Sequence, residues 1–291
     1  MGRLHGEAAL AFAARGCKKT FMPEAHSFRT VLRGWLPPAF LRIVRNIRRR
    51  GAFFGDYRSW ADALAASKGY ADEAVLAKVV SATRDVTAGR GRWDRDGAVF
   101  NTMEVNAPLL AALRRIADAE LGQLDLVDFG GALGSTWRQH REALKDIRRV
   151  RWRVVEQPHY VDSGREFADA ALAFYASLDD ALSEGTVSTV LFSSVLPYVE
   201  QPRALLAEVA RRGVRHIVID RTSFAADGRE RIVVQRVPAA LGGGSYPCWL
   251  FARDKLLAPM MAQYRLVNEW PGFDDIDPSA LFYGFSFERN V

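Results

Sequence analysis

The chain has 291 residues, 49% of them apolar, which is enough for an α/β domain with additions and a core that requires no covalent staples. Two cysteines, Cys17 and Cys248, lie far apart, and the five histidines show no HxxxH spacing, so neither a disulfide framework nor a zinc site is expected, and a reducing cytoplasm suits the composition. The net charge of +6 is unevenly spread: residues 1–51 carry 11 Lys/Arg against 2 Asp/Glu, a surplus of nine, while the remainder carries 29 against 32, which excludes a uniformly basic nucleic-acid binder.

The apolar stretch AALAFAA (8–14) is too short and too alanine-rich to span a bilayer. Residues 28–50, FRTVLRGWLPPAFLRIVRNIRRR, place Pro37 and Pro38 at the first turn of an expected helix that ends near Arg50 and Gly51. Phe40, Leu41, Ile43, Val44 and Ile47 form one apolar face among arginines. That face fits either packing on the domain or peripheral contact with an anionic membrane.

Residues 52–120 are expected to be mostly helical. SWADALAAS (59–67) has Ser59 as an N-cap, GYADEAVLAKVVSATRDVTAG (69–89) continues the helical period, and APLLAALRRIADAEL (107–121) follows. From 124 onward the pattern alternates. Strands are expected at LDLVDFG (124–130), RWRVVEQ (151–157), LAFYAS (172–177), VSTVLFSS (187–194) and VRHIVIDR (214–221). Helices are expected between them at about 135–147, 162–170 and 201–212. Apolar, β-branched strands separated by helices predict a doubly wound, mostly parallel sheet of about seven strands. The tail adds RIVVQRVP (231–238), a glycine loop GGGSYP (242–247), a helix near 253–263, and YRLVNEW with LFYGFSFERN as an antiparallel pair. The predicted organisation is therefore a basic arm (1–51), a helical segment packed on the core (52–120) and an α/β core (121–291).

The first core strand runs into Asp128 and then three glycines, Gly130, Gly131 and Gly134, before Ser135 and helical sequence. A dinucleotide site requires G-x-G-x-x-G. Here Ala132 and Ser135 occupy the third and sixth positions from Gly130, and the better fit is acid-x-Gly-x-small-x-Gly over Asp128, Gly130, Ala132 and Gly134. Glu156 ends the second strand, where an acid accepts hydrogen bonds from ribose hydroxyls.

With LFSSVLPYVEQPRALLAEV (191–209) after the fourth strand and IDR (219–221) closing the fifth, the chain resembles the class I methyltransferases that use S-adenosyl-L-methionine. YRSWADALAASKGY, VVEQPHYVDSGRE, SSVLPYVEQP and GGSYPCWLF are similar to a group of methyltransferases encoded among bacterial surface-polysaccharide (O-antigen or capsule) genes, over about residues 52–288. The resemblance implies the class I fold, S-adenosyl-L-methionine as cofactor, no metal and no nucleic acid, and a small-molecule or glycan-type acceptor. It implies Asp128, Gly130, Gly131, Gly134, Ser135, Glu156, Ser193 and Ser194 as cofactor-binding residues. Asp179, after the third strand, either receives the adenine amino group or, as one of the pair Asp179 and Asp180, caps a helix start. Ala132 replaces the usual middle glycine, a substitution that a negative φ would accommodate.

If the acceptor is a hydroxyl, a base must take its proton. His159 beside Glu156, Asp220 at the end of the fifth strand and Tyr246 in the glycine-rich loop are the candidates, with Tyr198 expected to pack instead. Asp220 otherwise pairs with its neighbour Arg221. The alternatives are a nicotinamide-dependent oxidoreductase or epimerase, which would show G-x-G-x-x-G and Tyr-x-x-x-Lys, and a non-catalytic methyltransferase-like binding protein.

Overall fold

The computed structural model describes residues 51–68, 72–237, 244–274 and 276–290. The amphipathic helix expected within 28–50 lies outside the described residues, as does part of the glycine loop.

The described chain opens with strand β1 (Phe53–Tyr57) and helix α1 (Trp60–Ala66). Ser59 caps α1 as its sequence suggested, its hydroxyl accepting from the Asp62 N–H at 3.1 Å. Helix α2 (Asp72–Thr87) leads into the hairpin β2 (Trp93–Arg95) and β3 (Ala98–Phe100), and α3 (Ala107–Ala119) follows. Neither β1 nor the hairpin was expected in this segment. The hairpin joins at Asp96 (φ 51°) and Gly97 (φ 76°), with Arg95 opposite Ala98. An Asp-Gly pair with both φ positive is the two-residue turn whose twist matches the flanking strands.

The core then alternates: β4 (Gln123–Phe129), α4 (Ser135–His140), β5 (Arg149–Val155), α5 (Pro158–Gly164), β6 (Leu172–Tyr175), α6 (Leu178–Ser183), β7 (Thr189–Ser193), α7 (Pro202–Arg211) and β8 (His216–Ala225). Strands β9 (Arg231–Arg236) and β10 (Ser245–Leu250), helix α8 (Arg253–Met261) and strands β11 (Tyr264–Pro271) and β12 (Ala280–Arg289) complete it. Two helices depart from their expected spans. The first core helix is α-helical only to His140 and tightens to a 3-10 turn over Arg141–Leu144. The second begins at Pro158 rather than at 162, because proline is preorganised for the first helical position.

Seven strands form one sheet in the order β11-β12-β8-β7-β4-β5-β6. The neighbours from β8 to β6 run parallel, and β12 is antiparallel to both β8 and β11. This is the doubly wound, mostly parallel sheet the sequence predicted, with the antiparallel pair at its carboxyl-terminal edge. Alternation along β4 fixes its two faces. Leu124 and Leu126 pack with Leu113 and Ile116 of α3 and with Trp152, whereas Val127 packs with Leu206 and Val209 of α7 and with Met260 of α8. Strand order reverses at β4, between β5 on one side and β7 on the other, and open α/β sheets bind their ligands at the carboxyl ends of the strands at such a point.

A second, antiparallel sheet, β1-β9-β10, combines the first strand with the insertion after β8. Helix α1 covers it through Ala63, packed with Ile232 and Val234. Among the described residues no helix is long and apolar enough to cross a membrane.

Candidate functional site

The turn after β4 is shaped by backbone geometry. Gly130 (φ 73°) and Gly134 (φ 85°) both occupy the left-handed region. A Cβ on Gly130 would stand 2.4 Å from Val195 Cγ2, so the close approach of the β7 loop excludes any side chain there. Gly134 is the residue before α4, and a Cβ there would crowd Leu172 at 3.0 Å. Gly131 lies directly over Asp128, whose carboxyl carbon would be 2.6 Å from an added Cβ. Ala132 corrects the expectation of a negative φ: it sits at +50°, so the alanine is held in a strained conformation that the usual glycine would adopt freely.

The strain at Ala132 is held from the adjacent strand. Glu156, the residue after β5, accepts the Ala132 N–H on Oε1 at 3.1 Å and the Gln157 N–H on Oε2 at 3.0 Å. Burial raises the Glu156 pKa, and these two backbone hydrogen bonds work against the rise. Each carboxylate oxygen retains a further acceptor position. Asp128 is 1% exposed; its Oδ2 accepts Trp152 Nε1–H at 2.9 Å, and its buried Oδ1 has no hydrogen-bond partner. Burial pushes its carboxyl up to about 7, the Trp152 bond opposes this, and the charges of Glu156 and Asp220 add to it.

Beside the turn lies a buried polar hub. Asp220 is 1% exposed and accepts three side-chain donors: Asn106 Nδ2 at 3.0 Å, Ser193 Oγ at 3.1 Å and Trp270 Nε1 at 3.0 Å. It thereby joins α3, β7, β8 and β11 at one point. The neighbouring Arg221 does not pair with it. Arg221 (φ 51°) turns away and grips Asp274 through two hydrogen bonds, at 2.8 and 3.1 Å. Ser194 (φ 59°) donates its N–H to the Asp220 carbonyl at 2.9 Å.

The remaining candidates are dispersed. Ser135 opens α4. His159 lies in the first turn of α5, half-buried, near enough to Glu156 to lower the latter's pKa, with its ring 5.1 Å from that of Tyr160. Tyr246 is not on a loop but within β10, opposite Gln235. Its ring meets Tyr198 edge to face at 5.1 Å, and the Tyr198 hydroxyl donates to Gln235 Oε1 at 2.8 Å. Burial raises the Tyr198 pKa, so that residue is no ready base. Asp179 forms an ion pair with Arg212, just past the end of α7, and the cap of α6 is Ser177, not an aspartate.

Sequence reading missed a second buried network, which ties the β2–β3 hairpin to the glycine turn. Arg138 donates Nε–H to Asp94 Oδ1 at 2.8 Å, Nη2–H to Thr83 Oγ1 at 3.1 Å, and Nη1–H to the Leu133 carbonyl at 2.6 Å. Arg138, Asp94 and Thr83 are all at most 5% exposed. The signal for the hairpin was present in WDRDGAV, a short alternating run around Asp-Gly. A polar cavity of about 310 Å³ also opens on the β5–β6 edge, lined by Arg151, Arg153, Tyr175 and Glu184 among others, and it holds none of the candidate residues.

No protein-family model matches the chain, and no curated protein matches it. Among solved structures the chain is similar to the N-terminal domain of EvdMO1 determined in the presence of SAH and D-fucose (16% identity, 68% of this chain and 90% of that one, TM-score 0.46). It is also similar to magnesium protoporphyrin IX methyltransferase, ChlM, from Synechocystis PCC 6803 with bound SAM (16% identity, 73% and 97%, TM-score 0.42). A third is the N-methyltransferase NodS from Bradyrhizobium japonicum WM9 in complex with S-adenosyl-L-homocysteine (14% identity, 64% and 87%, TM-score 0.39).

Proposed function

We propose that this chain is an S-adenosyl-L-methionine-dependent methyltransferase that acts in the cytoplasm on a small-molecule or glycan-type acceptor, in the building of surface polysaccharide. In this reading residues 121–291 are the catalytic core, 52–120 pack on it, and 1–51 are a basic arm. The observation that carries the proposal is the pairing of Glu156 with the glycine turn at the point where strand order reverses. An acid placed across a turn cleared of side chains suits a nucleoside whose ribose meets the acid and whose remainder lies along the turn. The residues fit that group: each Glu156 oxygen keeps an open acceptor position beside the turn, and Asp128 keeps a buried carboxylate oxygen without a partner.

When bound, the cofactor supplies a methyl group already activated by the positive charge on sulfur. The protein's share is to align the acceptor with that methyl, to exclude water, and to take the acceptor's proton. Glu156 and the turn from Gly130 to Gly134 would hold the cofactor, and it would supply the electrophilic carbon for the acceptor. His159 is the residue proposed to accept the proton, with Tyr246 as the second candidate. Asp220 is proposed to position Ser193 and Asn106 rather than to react, because three donors already occupy it. Ser135, Ser194 and Asp179 remain proposed cofactor contacts.

A calorimetric titration with S-adenosylhomocysteine against NADH tests the reading. The wild type is expected to bind the former and not the latter. Glu156→Ala should weaken binding about ten- to a hundredfold, since charge-assisted hydrogen bonds are worth about 1.5–3 kcal/mol. Gly134→Val should abolish it, since valine is strained at a φ of 85° and its Cβ crowds Leu172. Unchanged affinity in both variants removes the cofactor from this turn.

The arm is proposed to meet anionic membrane through residues 28–50 and so bring the core to a lipid-linked acceptor. The charge surplus of residues 1–51 supports this, at about 1 kcal/mol per basic residue near an anionic surface. Full-length protein should co-sediment with phosphatidylserine vesicles at low salt and detach as salt is added. Equal association with neutral vesicles contradicts the electrostatic part.

A further inference from the structure

Arg95 stands apart from the other partly buried arginines of this region. Arg138 is paired with Asp94 and Arg221 with Asp274. Among the described residues no carboxylate hydrogen-bonds or ion-pairs with Arg95. Its guanidinium instead lies 4.8 Å above the ring of Trp93, which is itself 2% exposed, stacked on Phe100 at 4.3 Å and fixed by its Nε1–H to the Thr102 carbonyl at 3.0 Å. Stacking orients the guanidinium plane and leaves the N–H groups at its edge free to donate.

The position of this guanidinium is set by the fold. The preceding residue, Asp94, is clamped to Arg138, and Arg138 also holds the Leu133 carbonyl within the glycine turn. The hairpin therefore cannot move independently of that turn. Burial, and then the neighbouring charge of Arg221, lower the Arg95 pKa. Three carboxylates also act on it: Asp274, Asp96 and Asp220. Arg221 occupies Asp274, three neutral donors occupy Asp220, and Asp96 is exposed at the turn, where water screens it. A half-buried guanidinium beside a second guanidinium, without a bonded acid of its own, is stabilised by an anion that arrives with a ligand.

We propose that Arg95 is the anion-binding residue of the ligand site, taking a carboxylate or phosphate through its free N–H edge while Trp93 holds the guanidinium plane. The proposal rests on the methyltransferase reading and adds the charge of what is bound. Two sources share this chemistry: the amino-acid carboxylate of the cofactor and an acidic group on the acceptor.

Full-length wild type and Arg95→Ala are compared in two arms. In the first, S-adenosylhomocysteine and its decarboxylated analogue are titrated into each protein. A tenfold or greater loss for the former alone in the variant assigns Arg95 to the cofactor carboxylate. In the second, glucuronate, glucose 6-phosphate and glucose are titrated and followed by ligand-detected NMR. A tenfold preference of the wild type for either charged sugar over glucose, lost in Arg95→Ala and partly kept in Arg95→Lys, assigns Arg95 to the acceptor. Equal behaviour of wild type and variant in both arms overturns the proposal. Failure of wild type to bind S-adenosylhomocysteine counts against the methyltransferase reading instead, while the sugar arm still decides on Arg95.

Discussion

Replacing Asp220 with alanine is expected to destabilise the fold by about 3–5 kcal/mol, the cost of leaving strongly paired buried groups without their partner. The three donors that converge on Asp220 come from α3, β7 and β11, and all lose their acceptor together: Asn106 Nδ2, Ser193 Oγ and Trp270 Nε1. Asn106 and Trp270 are each 7% exposed, so water cannot replace the carboxylate without opening the packing. For a domain of this size the loss corresponds to a fall in Tm of about 10 °C. Asp220→Asn should be milder, because its amide oxygen still accepts while its NH₂ opposes one donor. Thermal unfolding followed by circular dichroism decides between a structural hub and a general base. A variant with wild-type Tm but no methyl transfer would make Asp220 the base and remove the positioning role proposed for it.

The second large effect concerns Asp128 and pH. In the unfolded chain this carboxyl titrates near 3.8, and in the folded protein burial holds it at about 7. The folded state therefore binds the proton more tightly. The resulting stabilisation is complete below about pH 4 and is lost as pH rises to about 7. Across that window the change is on the order of 4 kcal/mol, at about 1.4 kcal/mol per pH unit. Asp128→Asn keeps an oxygen for Trp152 Nε1–H and cannot ionise, so it should remove most of this slope. The variant is expected to be more stable than the wild type at pH 8 and to differ from it little at pH 4. Urea unfolding of both proteins from pH 4 to 8 measures this. Parallel curves for the two proteins would show that Asp128 is not the titrating group.

The core order was legible in the sequence because its strands are short apolar runs between helices, and a buried parallel sheet demands that pattern. The turn after β4 was legible for a related reason. A chain that bends sharply at a strand end with left-handed residues must spend glycines there, and Gly130 and Gly134 do sit at φ 73° and 85°. Glu156 was legible by its place at a strand end, which the sheet converts into a position beside that turn.

Other features depended on contacts between residues distant in sequence, which no local pattern encodes. Ala132 at φ 50° is tolerated because Glu156, 24 residues away, holds its N–H. The choice of partners for Asp220 and Arg221 set aside the alternative in which the two pair with each other, because β11 delivers Trp270 and the segment after it delivers Asp274. Tyr246, in a segment that read as a loop, became part of a strand because β9 offered it a partner in register. The Asp-Gly hairpin could have been read locally, but its tie to the glycine turn could not: the two are joined by Arg138, which pairs with Asp94 and also holds the Leu133 carbonyl. Sequence determined the sheet and its glycine turn through backbone and burial requirements that act locally. Tertiary packing decided which charges are paired with an opposite charge and which are not, because a side chain's partner is set by whatever the fold brings within hydrogen-bonding distance.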